Sequence, residues 1–114
     1  MVIRLPLRLY SVANLREHWA PKARRAAQER LVCRLAVQSG LRRDALEPPY
    51  EVKIVRVGPR KLDSDNLASA CKAVRDGVAD AIGIDDGDER IRWGYGQQKG
   101  KEYSITITIR SSNA

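Results

Sequence analysis

Cysteine and histidine are scarce in this chain of 114 residues, which has two of the first and one of the second. That supply is too small for a zinc site or a disulfide framework. Cys33 and Cys71 each fall in a helical pattern as small apolar residues, so both are expected as reduced core thiols. With His18 as the single histidine, no Ser, His and Asp nucleophilic arrangement can be assembled. Long apolar runs are missing too, and residues 1–10 are interrupted by Arg4 and Arg8, which the apolar region of a signal peptide would not tolerate. A cytoplasmic protein without a membrane segment is expected. There is no repeat, low-complexity segment or internal boundary, so residues 1–114 read as one domain with one modest core.

Acid is also in short supply: 14 Asp and Glu face 21 Lys and Arg, for a formal net charge of +7 and a pI near 9.8. The balance fits a polyanionic partner, although ribosomal, membrane-surface and merely basic proteins share it. Against this background the acidic residues are unevenly placed. Leu62-Asp63-Ser64-Asp65-Asn66 opens a helical pattern, and Ile84-Asp85-Asp86-Gly87-Asp88 follows its end. The mutual repulsion of such clusters calls for an offsetting charge, and carboxylate oxygens without His or Cys suit a hard divalent cation, Mg²⁺ or Mn²⁺. On that reasoning, changing one of these residues to Asn leaves the stability unchanged or slightly raised. A Ca²⁺ loop over Asp85-Asp86-Gly87-Asp88-Glu89 is the weaker alternative, since it lacks the spacing and terminal Glu of a complete EF-hand.

The pattern of the chain predicts a βαβαββ order. Ile3, Leu5, Leu7 and Leu9 alternate with Arg4, Pro6 and Arg8 as a strand with one buried face, lying partly at an edge because of Pro6. A first helix is expected from Pro21 to Gly40, with Ala23, Ala27, Leu31 and Leu35 as its apolar stripe. Tyr50–Val57 is a β-branched strand stopped by Gly58-Pro59. A second helix is expected over Ser64–Ile82. Arg90–Gln97 and Tyr103–Ile109 then alternate around Lys99-Gly100-Lys101 as a β-hairpin. The fold class is α+β, a single domain with two helices packed on a small mixed sheet.

At 100° per residue the second helix separates into two faces. Leu67, Ala70, Cys71, Val74, Val78, Ala81 and Ile82 form the apolar one, while Asp65, Ser69, Lys72, Asp76 and Asp80 lie opposite. Lys72 and Asp76 are placed for an i,i+4 pair, and Asp76 and Asp80 read as a solvated face with weak ion pairs. Asp63 alone would read as a helix N-cap. That does not explain why Asp65 accompanies it, or why a further Asp pair follows the helix.

Asp63-Ser64-Asp65-Asn66-Leu67, Lys72, Arg75-Asp76-Gly77 and Asp85-Asp86 before Arg90-Ile91 together resemble the RusA-type Holliday junction resolvases and their phage-borne relatives. Asn14-Leu15-Arg16-Glu17-His18-Trp19 with the basic helix after it is similar to the phage branch, so the resemblance covers nearly the whole chain. It implies a RusA-like fold and Mg²⁺-dependent endonucleolytic cleavage of branched DNA by a homodimer, in DNA recombination and repair in a bacterial or phage-infected cell. It also implies Asp63, Asp65 and Asp86 as metal ligands and Lys72 as a catalytic cation, with Asn66, Asp85 and Ser69 in support. In the best-known member the helix lysine comes one turn after the second Asp. This chain has Ser69 there and Lys72 two turns on.

Phosphodiester hydrolysis needs a bound phosphate, a deprotonated water and a stabilised leaving oxygen, all of which one or two Mg²⁺ ions supply. Lys72 would add charge stabilisation. DNA contacts are expected from Arg16, His18, Lys22, Arg24, Arg25, Arg60, Lys61, Lys99 and Lys101. For His18 a surface or helix-start role is the plainer reading, as core packing is for Trp19 and Trp93. An uninterrupted helix over residues 65–82 would hold Asp65 roughly 25 Å from the Asp85-Asp86 turn, beyond the reach of one metal site. Either that helix breaks near Gly77, or a two-fold axis builds each site from two chains. The alternative to an enzyme is a basic DNA-binding or structural phage protein on the same fold, its acidic residues serving as caps and ion pairs.

Overall fold

In the computed structural model, residues 1–10 and 19–112 are described. The order is β1 (Val2–Leu5), α1 (Trp19–Arg43), β2 (Tyr50–Gly58), α2 (Ser64–Ala70), α3 (Lys72–Ile82), β3 (Ile91–Lys99) and β4 (Ser104–Ser111). This is the expected α+β class, with three helices and a four-stranded mixed sheet ordered β1-β4-β2-β3. Ile105, Ile107 and Ile109 of β4 and Val52 and Ile54 of β2 point to one face. There they meet Cys33 and Val37 of α1, Leu67 of α2, and Val74 and Val78 of α3 in a single buried core. The opposite face carries Thr106 and Thr108, and at one end the cross-strand pair Glu51–Arg110 at 2.8 Å. One face packed and one wet is the arrangement that alternating strands favour. No described helix is long and apolar enough to cross a membrane.

The expected hairpin is not formed. β3 runs parallel to β2, β4 runs antiparallel to β2, and β2 lies between them. Alternation identifies which face of a strand is buried but not its neighbour. The apolar β2 takes the central place because there both its edges and one face are covered.

β1 is an edge strand, as Pro6 suggested, and it ends at Leu5. Inward burial nevertheless continues in alternation to Leu9, which is fully buried.

Helix α1 differs from expectation at both ends and in its orientation. It starts before Pro21 and continues past Gly40 to Arg43. Gly40 is buried against Met1, where an added Cβ would lie 2.6 Å from the Met1 sulfur, so this glycine serves a close approach rather than a helix stop. The stripe Ala23, Ala27, Leu31 and Leu35 faces outward, with Leu31 53% and Leu35 55% exposed. The buried side is Cys33, Val37 and Gly40. Small residues face inward here because α3 approaches closely: a Cβ on Gly77 would lie 2.9 Å from the Cys33 Cβ and closer still to the Arg30 carbonyl oxygen. Bulky leucines on that side would hold the helices apart.

The second helix has the expected faces but not the expected continuity. Leu67, Ala70, Cys71, Val74 and Val78 are buried. The break falls at Cys71 (φ −85°, ψ −2°) between α2 and α3, not near Gly77, which lies inside α3. Backbone bonds on both sides, Cys71 N–H to Leu67 O at 3.1 Å and Arg75 N–H to Cys71 O at 2.9 Å, keep the two segments stacked end to end. α3 closes on Gly83, whose φ of 87° suits glycine. Both cysteines are free and buried, and burial pushes each thiol up to about 12.

Candidate functional site

Asp63 occupies the N-cap position of α2 with extended backbone (φ −62°, ψ 154°), yet its carboxylate makes no capping hydrogen bond. The plain reading of this residue as a cap therefore fails at the side chain. Asp65 follows in the first turn, and both residues are exposed, with no Lys or Arg partner for either carboxylate among the described residues. The segment before them is anchored. The Leu62 N–H donates to the Gln97 side-chain oxygen, and the Gln97 amide donates back to the Leu62 carbonyl, both at 2.7 Å.

Asp86 is held quite differently. Its Oδ2 accepts from Arg75 Nε at 3.0 Å and from Lys72 Nζ at 3.3 Å, while its carbonyl accepts from Arg75 Nη2 at 3.0 Å and from Trp93 Nε1 at 2.8 Å. Arg75 also donates to the Tyr95 hydroxyl at 2.9 Å and stacks on Trp93 with its Cζ 4.8 Å from a ring centroid. Burial raises the Asp86 carboxyl, but hydrogen bonds with Asp85 and Lys72 and the charges of Lys72 and Arg75 outweigh it, leaving the pKa below the ordinary value. The other downstream carboxylates are compensated too. Lys72 bridges to Asp76 at 2.7 Å, as the i,i+4 spacing predicts, and Arg30 of α1 holds Asp80 at 2.6 Å. Hydrogen bonds from Arg90 pull Asp88 down to about 2. Arginine and lysine thus offset the charges of Asp76, Asp80, Asp86 and Asp88, while Asp85 accepts the Gly87 N–H. Asp86→Asn is correspondingly expected to destabilise by about 1–2 kcal/mol rather than leave stability unchanged, because it removes a charged acceptor from two cations.

Trp93 and Gln97 of β3 measure the distance between the two clusters. Trp93 holds Asp86 and Gln97 holds Leu62, and four residues of strand rise roughly 13 Å. The two clusters are thus anchored at different points of β3, and no group of three metal-ligating side chains forms among the described residues. Asn66, Ser69 and Asp85 take places around these clusters without completing one: Asn66 is half-buried in the first turn of α2, Ser69 is exposed on the Lys72 face, and Asp85 accepts the Gly87 N–H at 3.2 Å.

The expected DNA contacts divide into two groups. Arg60 and Lys61 leave the end of β2, and Lys99 pairs in register with Gly58, so with Lys101 these cations gather at the sheet end that also carries Leu62 and Asp63. Lys22 and Arg25 line a cleft of about 570 Å³ between α1 and the α2–α3 pair, whose walls include Glu29, Arg30, Ser69, Lys72 and Asp76. Arg24 is exposed on α1. Arg16 and His18 lie outside the described residues.

Tyr95 and Gln97 were not singled out from the sequence, and Arg75 entered only within the motif Arg75-Asp76-Gly77, although Arg75 bonds Asp86 and Tyr95, and Gln97 holds Leu62 next to Asp63. The available signal was Arg75 itself, a cation beside Val74 on the flank of an apolar helix face.

Glu29 in the cleft wall has its carboxyl raised to about 7, by burial first, with Arg25 opposing. The folded chain therefore keeps this proton to a higher pH than the unfolded chain, whose Glu has the ordinary value of 4.5. Stability from Glu29 is complete below about pH 4.5 and is lost as the pH rises towards 7. Glu29→Gln is expected to gain about 1–2 kcal/mol at pH 8 and little at pH 4.5, a range discounted for partial solvent screening. Urea unfolding of both proteins at the two pH values measures it.

No family model, curated protein or solved structure matches the chain.

Proposed function

We propose that this protein is a Mg²⁺-dependent endonuclease of branched DNA, a RusA-like resolvase acting on Holliday junctions as a homodimer, with Mn²⁺ as a substitute cation. The observation that carries the reading is the Asp63 carboxylate, which sits at a helix N-cap without capping the helix and beside an equally unpaired Asp65. In a chain with seven excess positive charges, two carboxylates one residue apart that have no cationic partner among the described residues are suited to a hard cation, since Mg²⁺ is often bound through one or two carboxylates and several waters. Bound there, such an ion would polarise a phosphodiester and lower the pKa of an attacking water.

The residues of the chain supply the remaining functions. Arg60, Lys61, Lys99 and Lys101, gathered at the same end of the sheet, would hold the phosphate backbone and orient it across Asp63 and Asp65. Gln97 fixes the carboxylate-bearing segment through Leu62. Arg75 donates to both the carboxylate and the backbone carbonyl of Asp86, so that Asp86 is presented on a rigid support. Because Trp93, which holds Asp86, and Gln97, which holds Leu62, stand roughly 13 Å apart along β3, Asp86 would complete the site of a partner chain. Lys72, bonded to Asp86 and Asp76, travels with that half and would meet the phosphate there.

The test is cleavage of a labelled mobile four-way junction and of plain duplex, each with Mg²⁺ and with EDTA. Cutting of the junction alone, and only with Mg²⁺, is expected. Junction binding without cutting under any divalent cation would instead establish the basic DNA-binding protein.

A further inference from the structure

Three arginines and two tyrosines from four separate parts of the chain are interleaved near the start of β4. Arg8 stacks between Tyr10 and Tyr103, its Cζ 4.6 Å and 4.3 Å from the two ring centroids. Arg25 of α1 lies over Tyr10 at 4.7 Å, and Arg56 of β2 lies over Tyr103 at 5.9 Å. Arg56 is only 5% exposed, and its hydrogen bonds go to carbonyl oxygens, from Nη1 to Arg60 at 2.7 Å and from Nε to Leu9 at 3.5 Å. Among the described residues neither Arg8 nor Arg56 has a carboxylate partner.

Ring faces attract guanidinium groups, but they do not neutralise them. Arg56, buried and with no carboxylate partner among the described residues, and Arg8 over the same Tyr103 ring leave a concentrated positive field, which an anion would complete. Stacking also fixes each guanidinium plane, so its edge N–H groups form a preorganised fork for oxyanions. The exposed Arg8 fork, with the cations Arg60 and Lys61 beyond the end of β2, suits a repeating row of phosphates better than a single carboxylate. The row also continues on the chain: Arg56 donates to Arg60, which precedes Lys61 and the Asp63 segment.

We propose that this Arg–Tyr ladder is a docking rail for the phosphate backbone of nucleic acid, with Arg8 as its exposed contact. Because guanidinium groups cover the tyrosine faces, bases cannot stack on them, and recognition is independent of base sequence. The proposal rests on the nucleic-acid reading above and adds Arg8 to its surface, held by Tyr10 and Tyr103 with the buried Arg56 over the Tyr103 ring.

Binding is measured by anisotropy on labelled duplex and four-way junction in EDTA, so that cleavage plays no part, between about 50 and 200 mM salt. Arg8→Gln is expected to weaken binding about 5- to 10-fold near 100 mM salt and to flatten the log–log salt slope by about 0.9, the loss of one phosphate contact. Arg8→Lys should restore the parent slope. Thermal melts of both variants should match the parent, since Arg8 is exposed. Parent affinity and slope in Arg8→Gln would overturn the ladder while leaving the nucleic-acid reading intact. Binding by the parent without any cutting would remove the nuclease and leave the ladder. A parent that binds no DNA would remove both. Competition by millimolar inorganic phosphate as effective as that by duplex, or affinity that follows base sequence, would also overturn the proposal.

Discussion

A mixture of Asp65→Asn chains with Asp86→Asn chains is expected to regain single-strand nicking that neither variant shows alone. In one chain the Asp63–Asp65 segment is tied to Gln97 and Asp86 to Trp93. Those two strand positions stand roughly 13 Å apart, and no group of three metal-ligating side chains forms among the described residues. On the proposed reading, a site that uses all three carboxylates draws on two chains. In a heterodimer of the two variants, one site then carries both lesions and the other carries none. Nicks, rather than paired cuts, are the correct readout because one intact site cuts one strand. A tagged pull-down establishes that subunits exchange. With exchange verified, no recovery excludes sharing. If Asp86→Asn alone also keeps its activity, Asp63 and Asp65 form the metal site by themselves, and Asp86 is a structural partner of Arg75.

Gly77→Ala is expected to destabilise the fold by about 2–4 kcal/mol, the cost of overpacking at a site that cannot relax. The added methyl would lie 2.9 Å from the Cys33 Cβ and nearer still to the Arg30 backbone oxygen, so α1 and α3 would have to separate. Replacing glycine inside a helix gains about 1 kcal/mol of propensity, which is less than this clash. The melting temperature should fall by roughly 4 °C for each kcal/mol lost in a domain of this size. Gly87→Ala serves as the control, since its nearest neighbour would be 4.0 Å away, and its change should stay within about 0.5 kcal/mol. An unchanged or raised melting temperature in Gly77→Ala would mean that α1 and α3 do not pack in this way.

The same contact shows where sequence periodicity misleads. Leu31 and Leu35 give α1 an apparent core stripe, but the helix buries Cys33 and Val37 instead. In the helix that follows β2 the reading succeeds, because Leu67, Val74 and Val78 face the isoleucines of the sheet, where size helps. Against α3 the close backbone approach at Gly77 favours small side chains on α1, and no property of α1 alone records that approach. Gly40 misleads for a related reason, since its missing Cβ accommodates Met1 from the other end of the chain.

The amino-acid sequence alone determined the α+β class, the inward isoleucines of β4, the buried thiols, the apolar face of α2 and α3, the Lys72–Asp76 pair and the prominence of Asp63, Asp65 and Asp86. Each of these follows from residue type and a local repeat of two or of 3.6 residues, which the chain carries within a few positions. Only the tertiary structure decided that β2 separates β3 from β4, that Arg75 and Tyr95 support Asp86, that Asp63 does not cap its helix, and that Arg8 stacks between Tyr10 and Tyr103. These depend on which distant segments meet, and that is settled by packing the whole core at once rather than by any segment's own pattern.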